Sequence, residues 1–171
     1  HECDEIPIIA ANMHRMILPR QSQIWAVVKA GQPLQKLYYQ ICSGLLGRLC
    51  FSGEPDALSA AQWTVMDEGT AFYGKAASVI DHGVSQRFGS RIVSYRAPRG
   101  WQAVVRRGET QTLVVVHTFG AAPEAVTLPV GGKIAAQFMR EDLTATHLDG
   151  QLTVHGLTDF DAAAFILENE V

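Results

Sequence analysis

The chain has 171 residues, of which 47% are hydrophobic and 18% charged, and its formal net charge is −3. This composition is typical of a globular protein with one good core or two small ones, and it excludes a disordered chain. Scattered Lys and Arg argue against a nucleic-acid partner, and the lack of an apolar stretch of about 20 residues argues against a membrane partner.

The chain starts with HECDE, a charged segment without an initial Met, and then enters an apolar run directly. We therefore expect it to be a piece of a larger protein, so that part of any active site lies elsewhere.

The first half of the chain alternates between helical periodicity and short apolar runs. The pattern predicts helices at 6–18, 34–46 and from Ser59 to Gly83, with buried strands at 24–28 and 48–51. Ser59 and Gln62 form a capping box preceded by Leu58, and Gly83 is a typical residue just past a helix end. Helix, strand, helix, strand, helix is the order of a parallel α/β fold.

The second half changes to a period of two, with turn residues every eight to twelve positions. Strands are predicted at 91–96, 101–107, 111–118, 125–128, 133–139, 145–148, 151–155 and 162–167. Asp149-Gly150 is a strong hairpin signal. The expected fold class is therefore α/β plus all-β, with residues 1–83 as one domain and residues 84–171 as an antiparallel β-sandwich.

Two groups of residues are candidates for a functional site. Glu2 and Asp4 precede the first helix and are candidate catalytic carboxylates, although Asp4 or Glu5 could instead cap that helix. Ser52, Gly53 and Glu54 end the second buried strand and are candidates for binding substrate hydroxyls; alternatively, Glu54 only begins a turn.

The tryptophans differ in their sequence surroundings. Trp63 lies among apolar residues of a helix and is expected in the core, Trp101 is expected to face inward, and Trp25 is left open between core and sugar contact. His14 is more typical of a histidine bonded within the structure than of a catalytic base.

Neither a metal nor a cofactor is expected. The cysteines Cys3, Cys42 and Cys50 lack ligand spacing and are odd in number, which argues against zinc and against a disulfide framework. The cytoplasm is then the simplest compartment.

Several segments resemble alpha-galactosidases of the melibiase type, in glycoside hydrolase family 36. The resemblance rests on AANMHRMILPRQSQIWAV at 10–27 and LGRLCFSGE at 46–54, then on QW at 62–63 and FY at 72–73. The segments GWQA at 100–103 and VHTF at 116–119 are also similar, so that the resemblance covers nearly the whole chain.

The resemblance implies that residues 1–83 are the last βα units of a (β/α)8 barrel and that the C-terminal β-domain follows. It implies retaining hydrolysis of terminal alpha-galactosides by two aspartates, with the nucleophile on an earlier strand that this chain lacks. The family's general acid/base lies in a serine–aspartate pair, where this chain has Glu2-Cys3-Asp4. Asp4 is therefore the candidate general acid/base and Glu2 the alternative.

Other functions remain open at this point. Residues 88–171 could act as a carbohydrate-binding module, which would place exposed aromatic side chains on one sandwich face. The chain could also be a structural or oligomerisation piece. A homo-oligomer is expected, because the two barrel strands would expose unpaired edges.

Overall fold

A computed structural model of the protein describes residues 3–169. The helices are α1 (Ile6–Met13), α2 (Leu34–Gly44) and α3 (Ala60–His82), with 3₁₀ turns at Pro19–Gln21 and Pro55–Ala57. The strands are β1 (Gln23–Val28), β2 (Arg48–Gly53), β3 (Val84–Gly89), β4 (Trp101–Arg107), β5 (Gln111–Thr118), β6 (Ala125–Pro129), β7 (Lys133–Phe138), β8 (Thr144–Leu148), β9 (Gln151–His155) and β10 (Ala162–Glu168).

The first half contains one β-strand, α-helix, β-strand unit. β1 and β2 pair in parallel and in register, from Gln23 opposite Arg48 to Val28 opposite Gly53. α2 connects them and packs on one face of the pair, against Ile24, Ala26 and Val28. The described residues hold this unit but no closed barrel, so the fold has mixed α/β character in its first half.

The second half consists of two antiparallel sheets. The larger has the order β3-β4-β5-β10-β7 and the smaller the order β6-β9-β8. Alternate side chains of the larger sheet enter different cores, because neighbouring residues of a strand point to opposite faces. Val104, Val115 and Ala164 pack towards the helices, whereas Val105 and Phe165 pack towards the smaller sheet. This arrangement explains why β4, β5 and β10 are buried on both faces.

The local signals for α3 and for the last hairpin are confirmed. The backbone N–H of Gln62 donates to Ser59 Oγ at 3.3 Å, and the backbone N–H of Ser59 donates to Gln62 Oε1 at 2.9 Å. Asp149 and Gly150 have φ values of 50° and 71°, as a tight turn between β8 and β9 requires.

Gly83 has a different role from the predicted one. Its φ is −74°, so it does not form a left-handed helix end. A Cβ at this position would lie 2.7 Å from Cγ of Arg106 and 2.6 Å from the Val79 carbonyl oxygen. The glycine is needed because Arg106 passes close to the end of α3.

Two predicted elements are wrong. The strand expected at 91–96 is irregular, and the edge strand of the larger sheet is instead β3, which pairs antiparallel with β4. The first helix ends at Met13 and not at residue 18, and Met16 and Leu18 are exposed. The domain division at residues 83 and 84 stays a prediction.

Among the described helices, none combines the length and the apolarity that crossing a membrane requires.

Candidate functional site

The candidate substrate-binding residues lie where the parallel strands end. Because β1 and β2 are in register, Ser52 and Gly53 stand beside Val27 and Val28, and the loop after β1 adjoins Glu54. The N-terminus of α2 follows β1 and that of α3 follows β2, so both helices start near this edge. The fold therefore brings Ser52, Gly53 and Glu54 together at the carboxyl edge of the strand pair.

Glu54 is exposed and forms hydrogen bonds with the end of β1 and the loop that follows it. Its backbone N–H donates to the Val28 carbonyl at 2.8 Å, and its Oε2 accepts from the Ala30 N–H at 3.2 Å. One carboxylate oxygen thus holds the loop after β1, and the other is available to accept a hydrogen bond from a hydroxyl. The turn role and the binding role considered for Glu54 are compatible in this geometry.

Gly53 is required by a close approach of the two strands. Its φ is 106°, and a Cβ would collide with the Val28 carbonyl oxygen. The position therefore brings backbone groups to the edge and leaves no room for a side chain there.

Asp4 lies beside the first turn of α2 and is buried, with 5% of its surface exposed. Its Oδ1 forms an ion pair with Lys36, and its carbonyl oxygen accepts from the Tyr39 hydroxyl. Lys36 also lies over the Tyr39 ring, with Nζ 4.8 Å from the ring centroid. Burial raises the pKa of Tyr39 well above its usual value, and the negative charges of Asp4 and Glu5 raise it further. The Tyr39 hydroxyl therefore keeps its proton and stays a hydrogen-bond donor.

The contacts of Asp4 join the segment before α1 to α2. The N-cap of α1 is Glu5, so the prediction that an acidic residue stands at the start of this helix is confirmed, but the Glu5 side chain makes no cap hydrogen bond. Glu2, the alternative catalytic candidate, lies outside the described residues. Asp4 and Glu54 have different partners in the structure, and none of their described contacts is shared.

The tryptophans occupy three different environments. Trp25 is 47% exposed and lies on the face of the strand pair opposite α2. Trp63 is 43% exposed, so the prediction that it lies in the core is wrong. Trp101 is half-buried against the core between the two sheets, as expected.

A buried serine–histidine pair lies between α2 and β5, and no local motif predicted it. Ser43 Oγ is 3.2 Å from Nε2 of His117, and the Tyr39 carbonyl is 3.3 Å from the same nitrogen. Both side chains are fully buried, which lowers the pKa of His117 to about 3. Because a substrate cannot reach this pair, we interpret it as a structural contact and not as a nucleophile and its base.

Other polar groups far apart in sequence also meet in the interior. Asp161 is buried and pairs with Arg140 at 2.9 Å, and Arg106 is buried beside His14. Burial and then the Arg106 charge lower the pKa of His14 to about 4. Within residues 3–169, no three His, Cys, Asp or Glu side chains form a group that could hold a metal ion.

Comparisons with known proteins show a similarity of fold. No protein-family model matches the sequence. No curated protein matches it either. Among solved structures, the galactosidase domain of an alpha-galactosidase-sucrose kinase, AgaSK, is similar over 95% of this chain, with a TM-score of 0.65 and 14% sequence identity. An alpha-amylase from H. orenii is similar over 82% of this chain and 36% of its own length, with a TM-score of 0.46 and 13% identity.

The chain spans 24% of the length of the galactosidase domain that it matches. At this identity the similarity establishes a shared fold. It relates the helices and the β-sandwich of this chain to part of a glycosidase structure.

Proposed function

We propose that this chain is the C-terminal part of a retaining glycoside hydrolase that acts on terminal alpha-galactosides. In this proposal residues 1–83 are the last βα units of a (β/α)8 barrel, and residues 84–171 are the β-sandwich that supports it. The observation that carries the proposal is the uncovered face of the β1–β2 pair, taken together with the fold similarity to a galactosidase domain.

The uncovered face is the side of the β1–β2 pair that α2 leaves open, and in this proposal it would line a barrel interior. Trp25 stands beside Cys50, and Val27 beside Ser52, on the side of the strand pair that α2 does not cover. The lumen of a (β/α)8 barrel is filled by side chains from neighbouring strands, which would cover such a face. Ser52, Gly53 and Glu54 would then lie on the face of the barrel where its active sites are built.

The proposed reaction needs two carboxyl groups facing each other across the scissile bond, about 5–5.5 Å apart in retaining enzymes. A nucleophile upstream of this chain would form the glycosyl-enzyme intermediate. A general acid would protonate the leaving oxygen and then, as a base, activate water. Glu54 and the neighbouring backbone would bind sugar hydroxyls. The 171-residue chain alone would be inactive, because it lacks the nucleophile.

Asp4 is the proposed general acid/base, with Glu2 as the alternative. The ion pair with Lys36 also supports a structural role for Asp4, which joins the segment before α1 to α2. A variant of Asp4 in the longer enzyme distinguishes these roles.

The test is hydrolysis of p-nitrophenyl alpha-D-galactopyranoside by a longer protein that contains this chain and the preceding barrel strands. We expect hydrolysis with retained anomeric configuration. If Asp4 is the acid/base, Asp4→Asn lowers kcat by about 10²–10⁴-fold with the thermal midpoint little changed. If Asp4 is structural, the variant lowers the midpoint and keeps kcat. A folded longer protein that does not cleave alpha-galactosides would contradict the proposal.

The uncovered face also makes a prediction for the 171-residue chain by itself. We expect this chain to self-associate through the β1–β2 face, as a homo-oligomer, because exposed aromatic surface is buried favourably. Trp25→Lys is expected to weaken the association by at least about tenfold, the effect of removing a central interface aromatic. Light scattering across a concentration series measures it.

Trp63→Lys is the matched control, since Trp63 is similarly exposed but lies on α3 and not on the β1–β2 pair. It should leave the association unchanged. A chain that stays monomeric at high concentration would argue against association through the β1–β2 face.

The structure gives less support to a carbohydrate-binding module. The exposed large apolar side chains on the strands of the two antiparallel sheets are Val84 and Leu148, which are not aromatic. We keep the cytoplasm as the proposed compartment, because Cys42 and Cys50 carry free thiols.

A further inference from the structure

A cavity of about 300 Å³ lies between the C-terminal end of α1 and strands β3 and β4. Its polar lining comes from Asn12, His14, Arg15, Ser85 and Arg87. Since α1 starts beside the first turn of α2, its C-terminal end points away from that turn. The cavity is therefore at the edge of the fold opposite to Gly53 and Glu54.

Two cations in the cavity lining, Arg15 and Arg87, have no acidic partner among residues 3–169. The guanidinium of Arg87 donates to the Ser90 carbonyl at 2.9 Å and to Gln102 Oε1 at 3.4 Å, which are both neutral acceptors. Burial and then the charge of Arg15 lower the pKa of Arg87, so the two cations act on each other. In the part of the chain that the structure describes, no salt bridge joins Arg15 or Arg87 to a carboxylate.

A third cation lies buried next to the cavity. Arg106 is 0% exposed and donates to the Leu46 carbonyl at 2.6 Å and to Ser85 Oγ at 2.9 Å. Its Nη2 is 3.4 Å from His14, and its Nη1 is buried without a hydrogen-bond partner among the described residues. A buried guanidinium without a counter-ion is costly, and a nearby anion would offset that cost.

We infer that this cavity is a binding site for a phosphate-type oxyanion, carried by a small molecule or free. Guanidinium groups match phosphate oxygens in charge and in the geometry of two parallel N–H donors. The hydroxyl of Ser85 uses its oxygen to accept from Arg106, so its proton remains available for the ligand. The side-chain amide of Asn12 supplies a further neutral polar group in the lining.

The end of α1 explains only part of this charge. Arg15 lies two residues after Met13, the last residue of α1, and a cation near a helix C-terminus is stabilised by the partial negative charge of that end. Arg87 and Arg106 belong to β3 and β4 and have no such explanation. The inference is independent of the proposed glycosidase function, because it uses none of the candidate catalytic or substrate-binding residues.

The test is calorimetric titration of the 171-residue chain with inorganic phosphate at constant ionic strength. We expect saturable one-to-one binding that Arg15→Gln and Arg87→Gln each weaken by about tenfold or more, as loss of a charge-assisted contact to an anion predicts. Arg107→Gln is the control, since Arg107 is an exposed arginine of the same strand as Arg106 and pairs with Gln86. It should change the affinity by less than about twofold.

A second titration with glucose 6-phosphate separates the two sources of the anion. Tighter binding than inorganic phosphate assigns the site to a phosphorylated small molecule, and equal binding assigns it to the free ion. The inference is overturned if phosphate binding does not saturate, or if Arg107→Gln weakens it as much as Arg15→Gln. Because Arg15 is exposed, Arg15→Gln decides the question even if Arg87→Gln does not fold.

Discussion

Replacing Asp161 with alanine is expected to lower the free energy of unfolding by about 3–5 kcal/mol, the usual cost of leaving one partner of a buried ion pair alone. Asp161 is fully buried, and its Oδ2 accepts from Arg140 Nη2 at 2.9 Å. Its Oδ1 accepts from the Ala162 N–H at 2.9 Å, and Oδ2 also accepts from the Thr158 N–H at 3.3 Å. Asp161→Ala would leave Arg140, whose Nε already lacks a described partner, without its buried counter-ion. Urea unfolding measures the change.

Asp142→Ala provides a matched control on the same arginine. Asp142 Oδ2 is 3.1 Å from Arg140 Nη1, but the Asp142 side chain is 67% exposed. Solvent screens such a pair, so the expected loss is below about 1 kcal/mol. Similar losses for the two variants would show that burial does not set the strength of these contacts.

The second large effect concerns acid. We expect the free energy of unfolding to fall by roughly 3 kcal/mol between about pH 7 and pH 4 through His117 alone. Burial lowers the pKa of His117 from 6.5 to about 3, and the charge of Lys36 acts in the same direction. Between these two values the unfolded chain binds a proton that the folded chain does not bind. The stability that neutral His117 contributes is therefore fully present above its pKa in the unfolded chain. It is lost as the pH falls towards the lower pKa that His117 has in the folded chain.

Urea unfolding at a series of pH values measures this dependence. His117→Gln should make it shallower, although part of the acid sensitivity remains because the pKa of His14 is lowered to about 4. His155→Gln, on an exposed position of β9, should leave the dependence unchanged. If the two variants showed the same pH dependence as the parent chain, the assignment to His117 would be wrong.

Local signals in the sequence predicted those parts of the fold that neighbouring residues determine. The Ser59 and Gln62 side chains satisfy backbone groups three residues apart, so the start of α3 needs no distant contact. Similarly, Asp149-Gly150 supplies the positive φ values of a tight turn between adjacent strands. Contacts between neighbouring residues stabilise both elements, and the sequence prediction of them was correct.

Elements that depend on distant partners were harder to predict. The segment 84–89 carries Ser, Gln and Arg, and it becomes a strand because β4 provides an antiparallel neighbour. The segment 91–96 has a better strand pattern, with Ile and Val, but it has no such neighbour and stays irregular. The pairing with β4, and not the β-strand propensity of each segment, thus determined which of the two became a strand.

The candidate site shows the same division. The position of Ser52, Gly53 and Glu54 at a strand end followed from the alternation of strands and helices. The partner of Asp4 could not be predicted in this way, because Lys36 is 32 residues away and its local sequence pattern does not indicate the ion pair. Of the three arginines around the cavity, one follows the end of α1 and the others lie on β3 and β4, and only the folded chain brings them together.

The five-stranded sheet has a consequence for how the molecule melts. One of its faces closes the core of the helices and the other closes the core beneath the three-stranded sheet. Dividing the chain after Gly83 would expose the Val104, Val115 and Ile166 side chains to solvent. It would also leave the amphipathic helices without a sheet to pack on. We therefore expect the two halves, although distinct in sequence pattern, to unfold together in one cooperative transition.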